Sequence, residues 1–343
     1  MAATPAPRPA TGGDVEVSLA LNPGPLTGPL LDGEITAEGV RWAATALHPS
    51  EMFWRQLRFG DFDISEMSLS ALLQDVDRGT GDWVGLPVFT TRHVCHTDII
   101  VRTGAGVDTP ADLMGRRVGV PEYQQTSAVW SRGVLADEHG VDPRGITWFM
   151  ERGAARSHAG GTGFRPPDGV RVEPVPASES IGSLLAAGEL DASLLYLSDS
   201  NLIDRSPGRE RLGGRVRRLF DPPAAERARY TSATGFRHAT HCVVIKSALA
   251  ARHPWLVLNI YAAFERAKRL VTERALAAVE PWAPVLPAVG DVLPAIGAVD
   301  PWPGGLVSEA PMLAALCRYA HEQGITRRLV DPAELFAAQT HDL

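Results

Sequence analysis

The sequence predicts an α/β protein in which short buried strands alternate with helices. Two observations support this prediction. Val15 to Leu21 alternates apolar and polar residues as a strand does, and short apolar runs such as Leu86 to Phe89 have the composition of buried strands. Between such runs lie segments whose apolar residues recur at helical spacing, the longest from Pro254 to Ala277. This alternation favours layered parallel α/β structure, and it leaves open whether the chain forms one lobe or two.

The elements can be taken in order along the chain. We predict strands at Val15 to Leu21, a short one within Phe59 to Glu66, Leu86 to Phe89, Thr97 to Val101, Arg117 to Val120, Leu190 to Leu197 and His241 to Lys246. We predict helices at Glu51 to Arg58, Ser68 to Gln74, Thr109 to Leu113, Thr126 to His139, Ser178 to Ala187, Pro254 to Ala277, Met312 to Gln323 and Pro332 to Phe336. Thr109-Pro110 supplies an N-cap followed by a first-turn proline, and Gly140 ends a helix. Residues 153–169 are rich in glycine and proline and are predicted to form a surface loop.

Composition excludes several classes of protein. The chain has 343 residues, 45% of them hydrophobic, and a net charge of −7, which argues against a nucleic-acid partner. No run approaches the roughly 18 apolar residues needed to span a membrane. The cysteines are widely spaced and odd in number, so neither a disulfide scaffold nor a zinc site is expected from Cys95, Cys242 and Cys317. Residues 1–13 are predicted to be a disordered tail without the pattern of a signal peptide, and we expect a cytoplasmic protein.

The stretch Arg92-His93-Val94-Cys95-His96 is the strongest candidate for a functional site. It follows the apolar run Leu86 to Phe89 and precedes another, Ile99 to Val101. Ionisable side chains at the ends of buried strands in α/β proteins project into the crevice where ligands bind. We therefore expect a binding cleft for a molecule that carries a carboxylate.

Several stretches together resemble the 4,5-dihydroxyphthalate decarboxylase family. They occur in the same order as in the family and span residues 14–340: Phe62 to Leu69, Pro87 to His96, Pro110 to Trp130, Arg132-Gly133, Thr234-Gly235 with His241, Pro254-Trp255, Ala263 to Lys268, Asp300 to Gly304 and Glu334 to Phe336. The resemblance implies a two-lobed type II periplasmic-binding-protein-like fold with an inter-lobe cleft. It places lobe one at 14–102 plus 243–343 and lobe two at 103–242. The crossings between lobes are expected near Val101 to Ala105 and Ala239 to Lys246.

The chain departs from the family pattern near the expected cleft. Val94 and Cys95 stand where the family usually has an aromatic residue and an arginine, and Phe236 to Thr240 replaces an apolar, proline-containing run. The substrate is therefore left open between 4,5-dihydroxyphthalate and a related hydroxylated aromatic acid.

Decarboxylation of such an acid without an electron-sink cofactor needs a cation for a carboxylate, an acid for the ring carbon, and stabilisation of phenolate charge. Arg92 is the predicted carboxylate clamp, since a guanidinium pairs bidentately with that group; the alternative is a structural ion pair. Arg55 is a second candidate, with solvent exposure as its alternative. Tyr123 and Thr126 are predicted to donate hydrogen bonds to the substrate at a helix N-terminus, or otherwise to pack in the core and cap the helix.

His96 and His241 match histidines of the family and are the predicted proton-transfer groups. Glu66 is predicted to orient one of them, or to complete a divalent-metal site with both, so the expected cofactor is either none or a divalent ion. His93 and His238 lack the family match and are interpreted as structural residues, although both lie close enough in sequence to contribute to the site. No nucleophile signature, Rossmann fingerprint or Walker loop is present.

Two functions of different classes follow. The first is a non-oxidative decarboxylase of a hydroxylated aromatic carboxylic acid. The second is a non-catalytic binding protein for an aromatic carboxylate in uptake or sensing, and a related lyase or hydrolase is a third. The missing export signal favours the enzyme over the binding protein. The expected partner is a small aromatic carboxylate, with no nucleic acid and no membrane, and homo-oligomerisation is left open.

Overall fold

The computed structural model describes residues 14–198 and 201–343 and contains two β-sheets, each flanked by helices. The predicted tail at residues 1–13 lies outside the described residues. The strands are β1 (Val15–Leu21), β2 (Val40–Ala46), β3 (Ile64–Ser68), β4 (Trp83–His93), β5 (Ile100–Arg102), β6 (Arg117–Val120), β7 (Thr147–Met150), β8 (Arg171–Pro174), β9 (Ala192–Ser193), β10 (Val216–Arg218) and β11 (His238–Lys246).

The two sheets form two lobes. The first sheet has the strand order β2-β1-β3-β11-β4, with β11 antiparallel to both of its neighbours. The second sheet has the order β10-β5-β9-β6-β7-β8, in which β5 runs antiparallel to β9 and β10. The sheets are therefore mixed rather than purely parallel as predicted, because the strands beside the crossings run against the rest of each sheet.

Helices cover both sheets. They are α1 (Gly28–Leu31), α2 (Pro49–Phe59), α3 (Leu69–Arg78), α4 (Thr126–His139), α5 (Ala159–Thr162), α6 (Ile181–Ala187), α7 (Pro223–Thr234), α8 (Ser247–Arg252), α9 (Pro254–Val279), α10 (Pro287–Ala298) and α11 (Leu306–Glu322). The segments expected as short helices after Thr109 and Asp331 are single 3₁₀ turns, Pro110–Leu113 and Pro332–Leu335. None of the helices in the described ranges combines the length and apolar character needed to cross a membrane.

The chain changes sheet a few residues before each predicted crossing. Ile100–Arg102, which was expected to lead into the first crossing, already pairs within the second sheet. His238–Lys246 pairs along its whole length in the first sheet. The passages between sheets are therefore residues 94–99 and 219–237, and the division of the helices between the two lobes stays a prediction.

Helix α2 of the first lobe packs directly on the loop that carries α5. The indole N–H of Trp54 donates to the carbonyl of Ala155 at 3.0 Å. A Cβ at Gly161 would lie 2.5 Å from the carbonyl oxygen of Leu57, so only glycine allows this approach. The glycine-rich segment predicted to be a surface loop is thus a packing surface in which Ser157 is buried.

Candidate functional site

A cavity of about 230 Å³, here called the inter-lobe cavity, lies between the two sheets. Segments attached to the first sheet contribute Asn22, His48, Pro49, Ser50, Phe53, Ser68, Thr91, His93, Thr240 and His241. Segments attached to the second sheet contribute Gln125, Thr126, Ser127, Arg152, His158, Leu195 and Leu197. Of the predicted site residues, Thr126 and His241 line this cavity, and Glu66 lies directly behind His241.

His241 lies on β11 at an irregular point of the sheet. Register shifts interrupt the pairing with β4 between Ala239 and His241 and between His241 and Val243. The irregularity lets both Thr240 and His241 reach the cavity. Nδ1 of His241 lies 3.5 Å from Oε2 of Glu66, and the histidine side chain is 16% exposed. Because Nδ1 is buried, Nε2 is the ring nitrogen that can face a ligand.

Glu66 is held rigidly behind this histidine. Its side chain is 1% exposed. One carboxylate oxygen accepts the main-chain N–H of Asn22 at 2.7 Å, and the other accepts the hydroxyl of Thr90 at 2.6 Å. These two donors orient the carboxylate, so Glu66 is in place to orient His241 in turn.

The start of α4 faces the cavity and can attract an anion. Thr126 is the first residue of this 14-residue helix. Its hydroxyl lies 2.7 Å from that of Ser68 and accepts the N–H of Ser70 at 2.9 Å, so the side chain joins α4 to α3. The main-chain N–H groups of Thr126 and Ser127 find no acceptor among the described residues. They lie at the positive end of the helix dipole, where an anionic group is stabilised.

Three further histidines line the cavity and were not predicted as site residues. His93 ends β4, and its Nε2 lies 3.5 Å from a carboxylate oxygen of Asp98. His48 caps the N-terminus of α2 by accepting the N–H of Ser50 at 3.3 Å. His158 precedes α5 and is buried. His93 lies in the stretch that the sequence marked as the strongest candidate site, whereas no local sequence signal marks His48 or His158.

Phe53 forms an apolar wall of the cavity. Its ring meets His241 edge to face at 4.7 Å between centroids and meets His158 in the same way at 5.9 Å. The ring belongs to α2, and the side chain is buried. An aromatic ligand in the cavity would therefore contact an aromatic face as well as imidazole groups.

Arg152 forms a fully buried ion cluster at one side of the cavity. Its guanidinium lies 3.0 Å from a carboxylate oxygen of Glu122 and 2.8 Å from one of Asp204, and all three side chains are at most 1% exposed. It also donates to the hydroxyl of Ser50 at 2.6 Å, and that hydroxyl donates to Asp204 at 2.7 Å. With two carboxylates beside it, Arg152 is already neutralised, and its first role is to hold the lobes together.

Arg92 does not reach the cavity, so the predicted carboxylate clamp is corrected here. Its guanidinium donates to Oε2 of Glu309 at 3.1 Å and to the carbonyls of Arg237 at 3.1 Å and Pro303 at 2.5 Å. It also lies over the ring of Phe89, 4.9 Å from the centroid. The side chain is 4% exposed. The alternative considered from the sequence, a structural ion pair, describes this residue.

His96 also lies outside the inter-lobe cavity. The strand β4 ends at His93, and His96 falls on the following 3₁₀ turn. Its Nε2 is 2.8 Å from a carboxylate oxygen of Glu226, and its fully buried ring packs edge to face against Phe220 and Tyr230. Burial lowers the pKa of His96 despite this carboxylate. The structure therefore places His96 in the packing between lobes rather than among the cavity residues.

Two other predicted contacts lie elsewhere. Arg55 pairs with Asp61 at 2.7 Å and stacks over Phe62 on the outer side of α2. Tyr123 is fully buried beneath the guanidinium of Arg132, 3.7 Å from the ring centroid, in a second cavity. Tyr123 follows the alternative of a packed core residue, whereas Arg55 forms a partly exposed ion pair, which neither reading of the sequence predicted.

The predicted metal-binding set does not come together. Glu66 and His241 are neighbours, whereas His96 is paired with Glu226. Within residues 14–198 and 201–343, no group of three or more His, Cys, Asp and Glu side chains is placed to hold a metal ion.

His238 predicts a pH dependence of stability. Its Nδ1 accepts the N–H of Cys95 at 3.1 Å, its Nε2 lies 2.9 Å from the hydroxyl of Tyr230, and its ring stacks on Trp130 at 4.2 Å. Burial first, and then the charge on nearby His96 when protonated, lowers the pKa of His238 well below its usual value. In the unfolded chain, His238 has the ordinary histidine pKa of about 6.5. Just below that pH the unfolded chain therefore binds more protons than the folded protein does.

The stability that neutral, buried His238 contributes is therefore fully present above about pH 6.5 and is lost as the pH falls. We expect the free energy of unfolding to decrease by about 1.4 kcal/mol per pH unit for this histidine between about pH 6.5 and its lower folded-state pKa. Urea titrations at pH 5 and pH 7 on the parent chain and on His238→Asn measure it. The free energy of unfolding should change less between pH 5 and pH 7 in the variant than in the parent chain. An equal change in both proteins would contradict the assignment of this pH dependence to His238.

Sequence comparison identifies two similar proteins. A 4,5-dihydroxyphthalate decarboxylase from Comamonas testosteroni is 31% identical over 311 residues, which cover 90% of this chain and 92% of that protein. A 4,5-dihydroxyphthalate decarboxylase from Pseudomonas putida is 39% identical over 168 residues, covering 48% of this chain and 64% of that protein. No protein-family model matches the sequence.

Structure comparison confirms the predicted two-lobed fold. The periplasmic aliphatic sulphonate binding protein SsuA from Escherichia coli matches with a TM-score of 0.55 at 14% identity, covering 94% of this chain and 92% of its own. The alkanesulfonate-binding protein SsuA from Xanthomonas axonopodis pv. citri, bound to MOPS, matches with a TM-score of 0.54 at 14% identity, covering 95% and 99%. At such identity the likeness shows the periplasmic-binding-protein-like fold and nothing about the ligand.

Proposed function

The chain belongs to the 4,5-dihydroxyphthalate decarboxylase family, and from this premise we propose that it decarboxylates a hydroxylated aromatic acid in the inter-lobe cavity. The observation that supports this site best is His241, held in the cavity with Glu66 behind it. 4,5-Dihydroxyphthalate is the first substrate to test, because both similar proteins carry that name.

The start of α4 is the proposed carboxylate-binding element. Arg92 is paired outside the cavity, and Arg152 is neutralised by Glu122 and Asp204. The free N–H groups of Thr126 and Ser127 supply the positive end of a helix dipole at the cavity wall instead. They can hold a substrate carboxylate without a full counter-charge, which leaves the carboxylate easier to lose as CO2 than a salt bridge would.

His241 is the proposed proton donor. In its protonated form, Nε2 gives a proton to the ring carbon that bears the leaving carboxylate, and the Glu66 carboxylate lies behind the ring, 3.5 Å from Nδ1. The bond between that carbon and the carboxylate then breaks, its electron pair restores the aromatic ring, and CO2 leaves. Solvent returns a proton to His241, so each turnover consumes one proton.

His93 is the proposed partner of a substrate hydroxyl. Burial lowers the pKa of His93, which favours the neutral ring. A neutral imidazole can accept a phenolic proton while the ring is dearomatised and return it afterwards. Phe53 supports the same step by keeping an apolar wall beside the reacting ring, which limits water access.

The direct test incubates the protein with 4,5-dihydroxyphthalate and a panel of mono- and dihydroxybenzoates. We expect CO2 release and loss of the acid's absorbance. Turnover after dialysis against EDTA tests the divalent ion left open by the sequence. If every acid in the panel binds without releasing CO2, the binding-protein function replaces the proposed reaction.

A further inference from the structure

A second cavity, of about 210 Å³, lies along the middle of α4 and is separate from the inter-lobe cavity. It is bounded by α4, by the 3₁₀ turn Pro143–Gly145, by residues 167–170 and by the C-terminal end of α11. Its walls combine apolar surface from Tyr123, Pro143 and Val170 with basic groups. We refer to it as the α4 cavity.

Arg132 is a buried cation in this cavity without a carboxylate partner. The residue is 1% exposed. Its Nε donates to the side-chain oxygen of Gln323 at 2.8 Å, and one terminal nitrogen donates to the carbonyl of Tyr123 at 2.7 Å. The other terminal nitrogen, Nη1, is buried and has no hydrogen-bond partner. Tyr123 and Trp148 lie against the guanidinium plane, at 3.7 and 5.5 Å from the ring centroids, and supply no negative charge.

This arrangement differs from the other buried arginines described above. Arg92 is paired with Glu309, and Arg152 is paired with two carboxylates. A buried charge is costly unless it is paired and hydrogen-bonded, and an unmet guanidinium N–H adds to that cost. Arg132 therefore lacks the carboxylate partner that Arg92 and Arg152 have. A cavity lies beside its side chain.

The acidic residues at the mouth of the α4 cavity are already engaged. The carboxylate of Asp142 accepts the N–H of Arg144 at 2.9 Å. The carboxylate of Glu322 accepts from Arg318 at 3.0 and 3.1 Å. The side chain of Arg144, which is exposed at this mouth, adds a second positive charge.

We propose that the α4 cavity binds a small carboxylate whose anionic group pairs with Arg132. The apolar walls formed by Tyr123, Pro143 and Val170 accept the body of such a ligand. Nη1 of Arg132 is covered in the structure, so the ligand reaches it when the side chains around it shift. A carboxylate matches the fork of guanidinium N–H groups better than a spherical anion does.

A short segment joins the α4 cavity to the inter-lobe cavity. Arg132 holds the carbonyl of Tyr123, and Arg152 holds the side chain of the preceding Glu122. The next residues, Gln125 and Thr126, line the inter-lobe cavity.

The test uses ¹⁹F NMR of trifluoroacetate added to the full chain at constant ionic strength. We expect line broadening with the parent protein and equally with His241→Asn, whose change lies in the other cavity. Arg132→Met should weaken binding at least about tenfold, the loss expected for a charged hydrogen bond. Arg144→Ala, an exposed position that leaves the fold intact, should weaken it less and carries the test alone should Arg132→Met not fold.

Competition separates a carboxylate site from a general anion site. Acetate should displace trifluoroacetate and restore the narrow line, whereas the same concentration of chloride should not. Equal displacement by chloride would overturn the carboxylate assignment. Broadening that is absent from the parent protein, unchanged in both arginine variants, or lost only in His241→Asn would overturn the site itself.

Discussion

Replacing His241 by asparagine is expected to lower kcat for decarboxylation by about 10²- to 10⁴-fold, the range typical of a lost general acid. Asparagine keeps a polar side chain beside Glu66 and cannot deliver a proton to a ring carbon. The cavity wall and the start of α4 stay in place, so the KM should change far less than kcat. Initial rates of CO2 release at several substrate concentrations separate the two constants.

His96→Asn is the matched control for this prediction, since both histidines face a glutamate and both were predicted as proton-transfer groups. His96 is outside the inter-lobe cavity, so its loss should reduce stability and leave turnover per folded molecule near the parent value. A His241→Asn protein with full turnover would contradict the assignment of His241 as the proton donor. A His96→Asn protein that is folded but inactive would contradict the placement of His96 outside the active site.

Replacing Arg152 by methionine should have the largest effect on stability. The change leaves Glu122 and Asp204 buried without their shared cation, and breaking a buried ion pair in this way costs about 3–5 kcal/mol. It also removes a donor to Ser50 and so weakens the contact between lobes. Urea denaturation of the two proteins at neutral pH measures the difference in the free energy of unfolding.

Arg41→Met provides the comparison for a pair at the surface. Arg41 and Glu16 lie 2.9 Å apart with side chains 69% and 73% exposed, and such pairs contribute at most about 1 kcal/mol. The two variants remove the same charge and add the same side chain. A similar decrease in the free energy of unfolding in both variants would mean that water reaches the Arg152 cluster and that its ion pairs stabilise the fold no more than a surface pair does.

The sequence predicted a strand from Leu86 to Phe89, but β4 extends to His93, so Arg92 lies within the strand and not after it. Side chains of a strand point alternately to opposite faces. Thr91 and His93 face the inter-lobe cavity, so Arg92 between them points to the other side and meets Glu309. Alternation was available from the sequence, but which face looks into the cleft depends on the pairing of β4 with β11.

The Arg152 cluster could not be foreseen from any local pattern. Glu122 and Asp204 lie 30 and 52 residues from Arg152 in the chain, and they meet it only through the fold of the second lobe. His158 was hidden within a segment whose glycines and prolines indicated an exposed loop. Those glycines instead allow the close approach of the segment to α2. The two-lobed fold itself was predictable, because the collinear resemblance spans nearly the whole chain.

The hydroxyl of Ser50 bridges the lobes, and its partners determine what separation of the lobes would cost. Arg152 and both of its carboxylates are attached to the same sheet, so they travel together when α2 withdraws. Withdrawal of α2 breaks the two hydrogen bonds at the Ser50 hydroxyl, the contact between the Ser50 carbonyl and His158, and the hydrogen bond from Trp54 to Ala155. None of these losses separates Arg152 from its carboxylates, and water can replace the broken hydrogen bonds. The lobes can therefore separate to admit a ligand while the buried ion pairs of Arg152 stay intact. The rate of ligand entry should accordingly depend little on salt concentration.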